Sequence, residues 1–378
     1  MATREVISTG NELAAIAAVD AGCKFFGGYP LTPSSEVMHV VSDLLPAVGG
    51  VAIQMEDEIG GICAVIGAAM VGQRALTATS GPGMSLKAEQ LGLAQMAEVP
   101  LVCVNVMRGG PSTGLPTRVS QGDILQSKNP SHGDYKSITL CAGSLAECYT
   151  EVVRAFNIAD RFMQPVIVLL DETIGHMHGK ADLPTLEEVQ AGIVPRKSFD
   201  GAPEDYFPYE CEHDEPAVLN PMYEGYRYHF TGLHHDKNGY PTEEIETCRK
   251  LIQRLDDKVA LHEDEVESYE EFMMDDAEVM IVAYGSVSLA AKESIRHLRA
   301  DGIKAGLFRP ITIWPSPAAK IKEYTDKIKN VIVVELNIGQ FHSEVQRAAA
   351  RLDIEGLFKV NGRPLSPHEI VSKVKEVF

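Results

Sequence analysis

Residues 74–107 read RALTATSGPGMSLKAEQLGLAQMAEVPLVCVNVM. Arg74–Ala78 has the length and side chains of a strand, and Thr79-Ser80-Gly81-Pro82-Gly83 ends it with turn-forming residues. Met84–Ala97 carries helical spacing, and Pro100–Met107 is apolar almost throughout, the pattern of a strand covered on both faces. A strand, a glycine-rich loop, a helix and a buried strand in that order make the repeating unit of a parallel, doubly wound sheet.

The same rhythm runs outward in both directions. Upstream the spacing predicts a helix over Asn11–Cys23, a strand over Lys24–Gly28, a helix over Ser34–Leu45, a strand over Val51–Gln54 and a helix over Glu56–Val71. Downstream, after a long irregular stretch, come strand Ile138–Ala142, helix Ser144–Phe162 and strand Pro165–Leu170. Residues 1–181 therefore read as one α/β domain. Residues 182–275 change character, with prolines, acidic residues and aromatics crowded into Pro203–Pro241; they read as an excursion that wraps without a core of its own. Residues 276–378 resume the alternation: strand Val279–Tyr284, a helix to about Asp301, strand Lys304–Phe308, a Pro-rich turn Pro310–Pro317, strand Asn330–Leu336 and a helix from Gln340.

A chain of 378 residues exceeds one ordinary core, in agreement with two α/β domains. Its 34 Lys and Arg against 53 Asp and Glu give a net charge of −19, which repels nucleic acid and anionic membrane. Met1–Gly10 does not read as a signal peptide, and no apolar run approaches the roughly eighteen residues of a membrane span. A cytoplasmic enzyme is the expectation. The seven cysteines include no C-x-x-C pair, so no zinc or iron–sulfur ligand set is read here, and any redox centre is expected on another chain. Cys63, Cys103 and Cys141 lie in apolar segments and are expected to be buried.

Ligands of open parallel sheets bind beyond the carboxyl ends of the strands. Four unusual loops fall there: Tyr29-Pro30-Leu31-Thr32-Pro33-Ser34-Ser35, Gln54-Met55-Glu56-Asp57-Glu58, Thr79 to Gly83, and Arg108-Gly109-Gly110-Pro111-Ser112-Thr113-Gly114. Each has a plain alternative. Thr32 and the serines can cap a helix, or hold a carbonyl or carboxylate at its amino end. Ser80, Gly81 and Gly83 can form a tight turn, or bring backbone amides to a ligand. The acids 56–58 suit any helix start, yet the helix they open is small and apolar and is expected to be buried all round, carrying one carboxylate into a dry environment. Burial there favours a proton on that carboxylate. Arg108 either forms a rim ion pair or grips a substrate carboxylate with its fork. The stretch from Arg108 to Gly133 is long enough for a binding loop.

With these passages in view, the chain resembles the α subunit of the 2-oxoacid:ferredoxin oxidoreductases. The resemblance rests on Tyr29–Ser35, on Gln54–Gly67 with Thr77–Gly83, and on Arg108–Arg118, and extends to Gly285-Ser286 and Glu335–Gln340. It implies a thiamine-diphosphate pyrimidine-binding domain followed by a transketolase-carboxyl-like domain. It also implies roles: Glu58 hydrogen-bonds N1′ of the aminopyrimidine, Thr32 lies beside the 2-oxo acid, and Arg108 binds its carboxylate. Pro30, Ser80, Gly81 and Gly83 would help to seat the cofactor. The family's thiamine enzymes hold the diphosphate and Mg²⁺ through a G-D-G motif, which this sequence lacks. The resemblance therefore assigns the diphosphate, Mg²⁺ and an iron–sulfur cluster to a β subunit. It adds a separate γ subunit, a small ferredoxin-like subunit, ferredoxin as acceptor and coenzyme A as acyl acceptor. The Arg108–Arg118 run resembles the 2-oxoglutarate and branched-chain members, and Arg118 would meet a distal carboxylate. A branched-chain 2-oxoacid enzyme and a non-catalytic assembly subunit are the alternatives. A dinucleotide enzyme is disfavoured because no G-x-G-x-x-G follows the first strand.

Overall fold

The computed structural model describes residues 3–378. Its first eight strands are β1 (Thr3–Ser8), β2 (Cys23–Gly28), β3 (Val51–Gln54), β4 (Arg74–Thr79), β5 (Leu101–Met107), β6 (Ile138–Cys141), β7 (Pro165–Asp171) and β8 (Gly179–Pro184). The remainder are β9 (Tyr269–Phe272), β10 (Val279–Val282), β11 (Ala305–Pro310), β12 (Thr312–Trp314), β13 (Asn330–Glu335) and β14 (Glu355–Phe358). The first sheet has the order β12-β6-β7-β5-β4-β2-β3, parallel except for β12. The second runs β14-β13-β10-β11-β9, parallel except for β9.

Period-two alternation along the central strand β5 sorts its side chains between two cores. Val102, Val104 and Val106 join the helices Gly10–Asp20 and Leu145–Phe162 on one face. Leu101, Cys103 and Met107 join the helices that follow β3 and β4 on the other. Helix Gly10–Asp20 approaches closely because Ala14, Ala15, Ala17 and Ala18 leave little between it and its neighbours. A capping box opens it: Thr9 Oγ1 accepts from the Glu12 amide, and Glu12 in return accepts from the Thr9 amide. Met280, Tyr284, Phe308 and Phe341 of the second sheet's region complete the second core, so both sheets share one apolar layer.

Side chains reinforce that seam. β12 leaves the second domain and pairs antiparallel with β6, which places the chain's one tryptophan, Trp314, under the first domain. Its indole donates to the Ile124 carbonyl at 2.8 Å. Arg309 donates to both Glu147 oxygens and to Glu270, tying the first sheet's helix Leu145–Phe162 to β9 and β11.

Several elements differ from the sequence expectation. The helix predicted over Met84–Ala97 starts earlier and breaks at Lys87, giving Gly81–Leu86 and Ala88–Met96. Lys87 is wholly buried, and its ammonium donates to the Glu58 carbonyl at 3.1 Å. The Pro310–Pro317 turn contains β12, and Tyr269–Phe272, inside the 182–275 stretch, is an edge strand of the second sheet. Helix Glu58–Met70 is not covered all round: Ile59, Cys63 and Gly67, four residues apart, share an open face. Cys63 is therefore exposed, whereas Cys103 and Cys141 are buried as expected.

The excursion is pinned at Glu98. This residue turns the chain into β5 at a left-handed φ of 54° and is wholly buried. Its carboxylate accepts from Arg254 at 2.5 Å, Lys258 at 3.1 Å and the Ala217 amide at 3.1 Å. Burial raises its pKa, but the two cations outweigh that and hold it at about 2. A carboxylate lowered from its unfolded value of about 4.3 stabilises the fold above that pH and ceases to do so as pH falls through the folded value. Glu98→Gln is expected to cost about 3–5 kcal/mol in urea unfolding at neutral pH. The gap from wild type should close as the pH is lowered towards 2.

Candidate functional site

Arg108, directly after β5, organises the rim. The residue is 5% exposed, and Nη1 donates to the Thr32 carbonyl at 2.5 Å while Nη2 donates to the Thr113 carbonyl at 3.2 Å. One side chain thus fastens the loop after β2 to the loop after β5. Nε has no partner, and among the described residues no carboxylate is in ion-pair contact with the group. Burial draws its pKa down, while Asp123 and then Glu58 act in the opposite sense from a distance.

The loop after β2 is held without help from its hydroxyl groups as helix caps. Asn11 donates to the Pro33 carbonyl at 2.7 Å, and Ser34 Oγ donates to the Leu31 carbonyl at 2.8 Å. Ser34 precedes helix Ser35–Leu44 but makes no side-chain cap. Thr32 is exposed, Pro30 half-buried, and neither lines the cleft described below. Tyr29 instead borders a second hollow, of about 560 Å³, with Gln54–Asp57 and Gly60.

Of the three acids after β3, Asp57 caps helix Glu58–Met70 by accepting from the Gly60 amide at 2.7 Å. Glu58 alone turns inward and is 4% exposed. Gly83 makes room for it: a methyl group there would lie 1.9 Å from Thr79 Oγ1 and 2.7 Å from Glu58 Oε1. Next to it, Ser80 opens helix Gly81–Leu86 without capping it, and its buried hydroxyl has no partner. Asn105 Oδ1 and Thr77 Oγ1, each two residues before the end of its strand (β5 and β4), are likewise buried and unpaired. Buried polar atoms are rarely left so, and a cluster at one strand end marks a place for a ligand.

A cleft of about 700 Å³ opens in front of these groups. Gly81, Pro82 and Ser85 form one wall; Arg108 to Ser112 and Leu115 form another; Ser120, Gly122, Asp123 and Gln126 form the floor. Asn337, Ile338, Gln340, Val360 and Gly362 close it from the second domain. The sequence reading brought Arg108 and Gly81 here, with Glu58, Ser80 and Gly83 immediately behind. Arg118 lies outside, exposed, its stem carbons 3.0 and 3.3 Å from where a Gly362 methyl would be. The reading missed Asp123, Gln121, Asn337 and Gln340. The unusual length of the 108–133 stretch was the one signal that pointed towards the first two.

These missed residues set the floor. Gln121 and Leu336 exchange backbone and side-chain bonds at 3.0 Å, and Asn337 Nδ2 donates to the Gln121 carbonyl at 2.8 Å. The same amide donates to Tyr284 Oη and to Glu335, both at 2.9 Å. Asp123 accepts from Asn105 Nδ2 at 3.0 Å, and burial raises its pKa. Among the described residues no group of three or more His, Cys, Asp or Glu is arranged to hold a metal.

The chain matches two protein families along its length. Residues 16–254 match the thiamine-diphosphate-binding domain of pyruvate flavodoxin/ferredoxin oxidoreductase, and residues 277–370 match core domain II of pyruvate:ferredoxin oxidoreductase. The 2-oxoglutarate synthase subunit KorA of Methanothermobacter marburgensis is 42% identical over 374 residues, covering 98% of this chain and 99% of the relative. The ketoisovalerate oxidoreductase subunit VorB of the same organism is 35% identical, covering 100% and 98%. The 2-oxoglutarate:ferredoxin oxidoreductase of Magnetococcus marinus, solved with 2-oxoglutarate, coenzyme A and succinyl-CoA bound, superimposes with a TM-score of 0.91 at 33% identity. That alignment covers 98% of this chain and 65% of the solved one.

Gly83→Ala tests the close approach behind the cleft. Overpacking against Thr79 and Glu58 is expected to cost about 1–3 kcal/mol in chemical unfolding. Gly110→Ala, where a methyl meets nothing within 4 Å, should change stability by less than about 0.5 kcal/mol.

Proposed function

This chain belongs to the pyruvate flavodoxin/ferredoxin oxidoreductase family, and we propose that it is the α subunit of a thiamine-diphosphate-dependent 2-oxoglutarate:ferredoxin oxidoreductase. The complex would convert 2-oxoglutarate, coenzyme A and oxidised ferredoxin into succinyl-CoA, carbon dioxide and reduced ferredoxin, or run the reverse. The observation that carries this reading is Arg108: a buried guanidinium, free of carboxylate contact, facing an interdomain cleft beside an inward-turned glutamate. A charge so placed is stabilised by an anion that arrives from outside. The greater identity to the 2-oxoglutarate synthase subunit than to the ketoisovalerate subunit favours 2-oxoglutarate over a branched acid.

The residues present suit thiamine diphosphate. Glu58 is 4% exposed and receives no side-chain hydrogen bond from the described residues, which leaves its carboxyl for a ring nitrogen. Gly83 keeps the space beside it clear, and the Ser80 hydroxyl is unspent. When bound, the cofactor supplies a thiazolium carbon that adds to the keto group and accepts the electron pair left by decarboxylation. Glu58 would hold a proton at N1′ of the pyrimidine, the contact that turns its amino group into a base. Arg108 would hold the substrate carboxylate, and the Thr32 hydroxyl, free of any helix cap, would lie beside the 2-oxo group. Residues 1–181 would then be the pyrimidine half-site. A β subunit would bring the diphosphate, Mg²⁺ and an iron–sulfur cluster, with γ and small ferredoxin-like subunits completing a cytoplasmic complex. No described helix is long and apolar enough to cross a membrane. A purely assembling role would leave Arg108 and Glu58 buried and unmatched to no purpose.

An anaerobic assay of the complex purified with its co-expressed partners tests this. Coenzyme-A-dependent reduction of ferredoxin is expected with 2-oxoglutarate, and far less with pyruvate or 2-oxoisovalerate. If Arg118 meets the distal carboxylate as an exposed charge, Arg118→Leu should raise KM for 2-oxoglutarate by up to about fivefold, the scale of an exposed ion pair. Preference for a branched acid would reassign the substrate, and a complex devoid of thiamine diphosphate would refute the reading.

A further inference from the structure

Lys87 is wholly buried in a place that serves an ammonium poorly. Among the described residues it makes no ion pair, and its side chain has one hydrogen-bond partner, the Glu58 main-chain carbonyl at 3.1 Å. That carbonyl belongs to the first residue of helix Glu58–Met70. The amino end of a helix carries partial positive charge, so the dipole disfavours a cation beside it. Asp57, the neighbouring acid, is engaged by the Gly60 amide at 2.7 Å and does not turn to Lys87. A buried charge without a carboxylate is costly, and an unbranched apolar side chain would fill the same space without that cost. Stability therefore does not account for the ammonium.

Its effect is to close a circuit round Glu58. The Lys87 amide donates to the Gly83 carbonyl at 3.1 Å, and the Lys87 carbonyl accepts from the Leu91 amide at 2.9 Å, so its backbone is fixed in both flanking helices. The bare face of Gly83, one turn earlier, is where the Glu58 side chain lies: a methyl there would sit 2.7 Å from Oε1 and 2.8 Å from Cγ. Glu58 is thus held at its main chain by the ammonium and confined at its side chain by the glycine. Another side of the same helix is open at Ile59, Cys63 and Gly67, so this chain supplies no packing from there to keep the first turn in place.

We infer that Lys87 is a positioning residue, whose ammonium fixes the first turn of helix Glu58–Met70 so that the Glu58 carboxyl stands where it meets the aminopyrimidine. The inference rests on the reading of Glu58 given above and adds a residue that touches neither cofactor nor substrate. A bond to a single ring nitrogen tolerates a displacement of only about 0.5 Å. The carboxyl is two methylene groups from the backbone, so a shift of the first turn moves it by at least that much.

Lys87→Met, which keeps the bulk and removes the ammonium, tests this without turnover. In the full chain, the amides of Gly60, Gly61 and Ile62 should exchange with deuterated water about tenfold faster, the scale of one charge-assisted hydrogen bond. Those of helix Ala88–Met96 should not change, and Tm should stay level or rise. Calorimetric titration of thiamine diphosphate into the cofactor-free complex should show binding weakened about tenfold, with no further loss when Lys87→Met is added to Glu58→Ala. Lys87→Gln, shorter and uncharged, should behave likewise and serves if the Met variant does not fold. Unchanged exchange at the first turn, or a binding loss that simply adds to that of Glu58→Ala, would overturn the inference. Failure of both variants to fold would do so too, by making Lys87 a residue that only holds the fold together. If Glu58→Ala binds the cofactor as the wild type does, the reading of Glu58 fails instead; if it weakens binding while Lys87→Met does not, the inference alone fails.

Discussion

A buried guanidinium is the constraint around which the site is built. Removing such a charge from water costs several kcal/mol unless polar groups replace the solvent. Arg108 obtains two carbonyls, Thr32 from the loop after β2 and Thr113 from its own loop. Those carbonyls orient the fork without neutralising it, so the positive potential stays directed into the cleft. An ion pair would have been the more stable local solution and would have left nothing for a ligand.

The second domain contributes floor and closure to this site. Asn337 gathers Gln121, Tyr284 and Glu335 into one buried network, and the Gln121 amide also donates to Asp171 at 3.3 Å. Asp171 ends β7 and receives the Ser286 amide, while burial pushes its pKa up to about 6. Connected polar networks of this kind favour one arrangement of the parts they join; in this one Asp171 Oδ1 is the buried atom left without a partner. Here the parts are the carboxyl ends of β7, β10 and β13 and the segment that leads to Asp123.

The fold class was legible because the unit from Arg74 to Met107 combines a period-two strand, a glycine turn and a helix without interruption. The rim loops were legible for the same reason: unusual residues recurred at the carboxyl ends of successive strands. By pattern alone Glu58 did not stand out from Glu56 and Asp57; the family resemblance singled it out, and its position on the first helical turn is what carries it inward. Asp123 was not legible. Gln121-Gly122-Asp123 lies in a stretch without periodicity, and the Gln340 that fixes it is 218 residues from Gly122. β12 was hidden in a Pro-rich turn for a similar reason: three residues cannot show alternation, and their partner strand is far away in sequence. The open face of helix Glu58–Met70 was misjudged because composition reports how apolar a helix is, and not which of its sides this chain covers.

The central claim is that Glu58 turns thiamine diphosphate into a reactive carbanion source within a shared active site. It is tested most directly by the rate at which the C2 hydrogen of thiamine diphosphate exchanges with deuterated water in the assembled complex. With Glu58→Gln, cofactor and partner subunits should remain bound while exchange slows about 100-fold or more, the scale of lost acid–base assistance. Exchange at the wild-type rate in that variant would contradict the account.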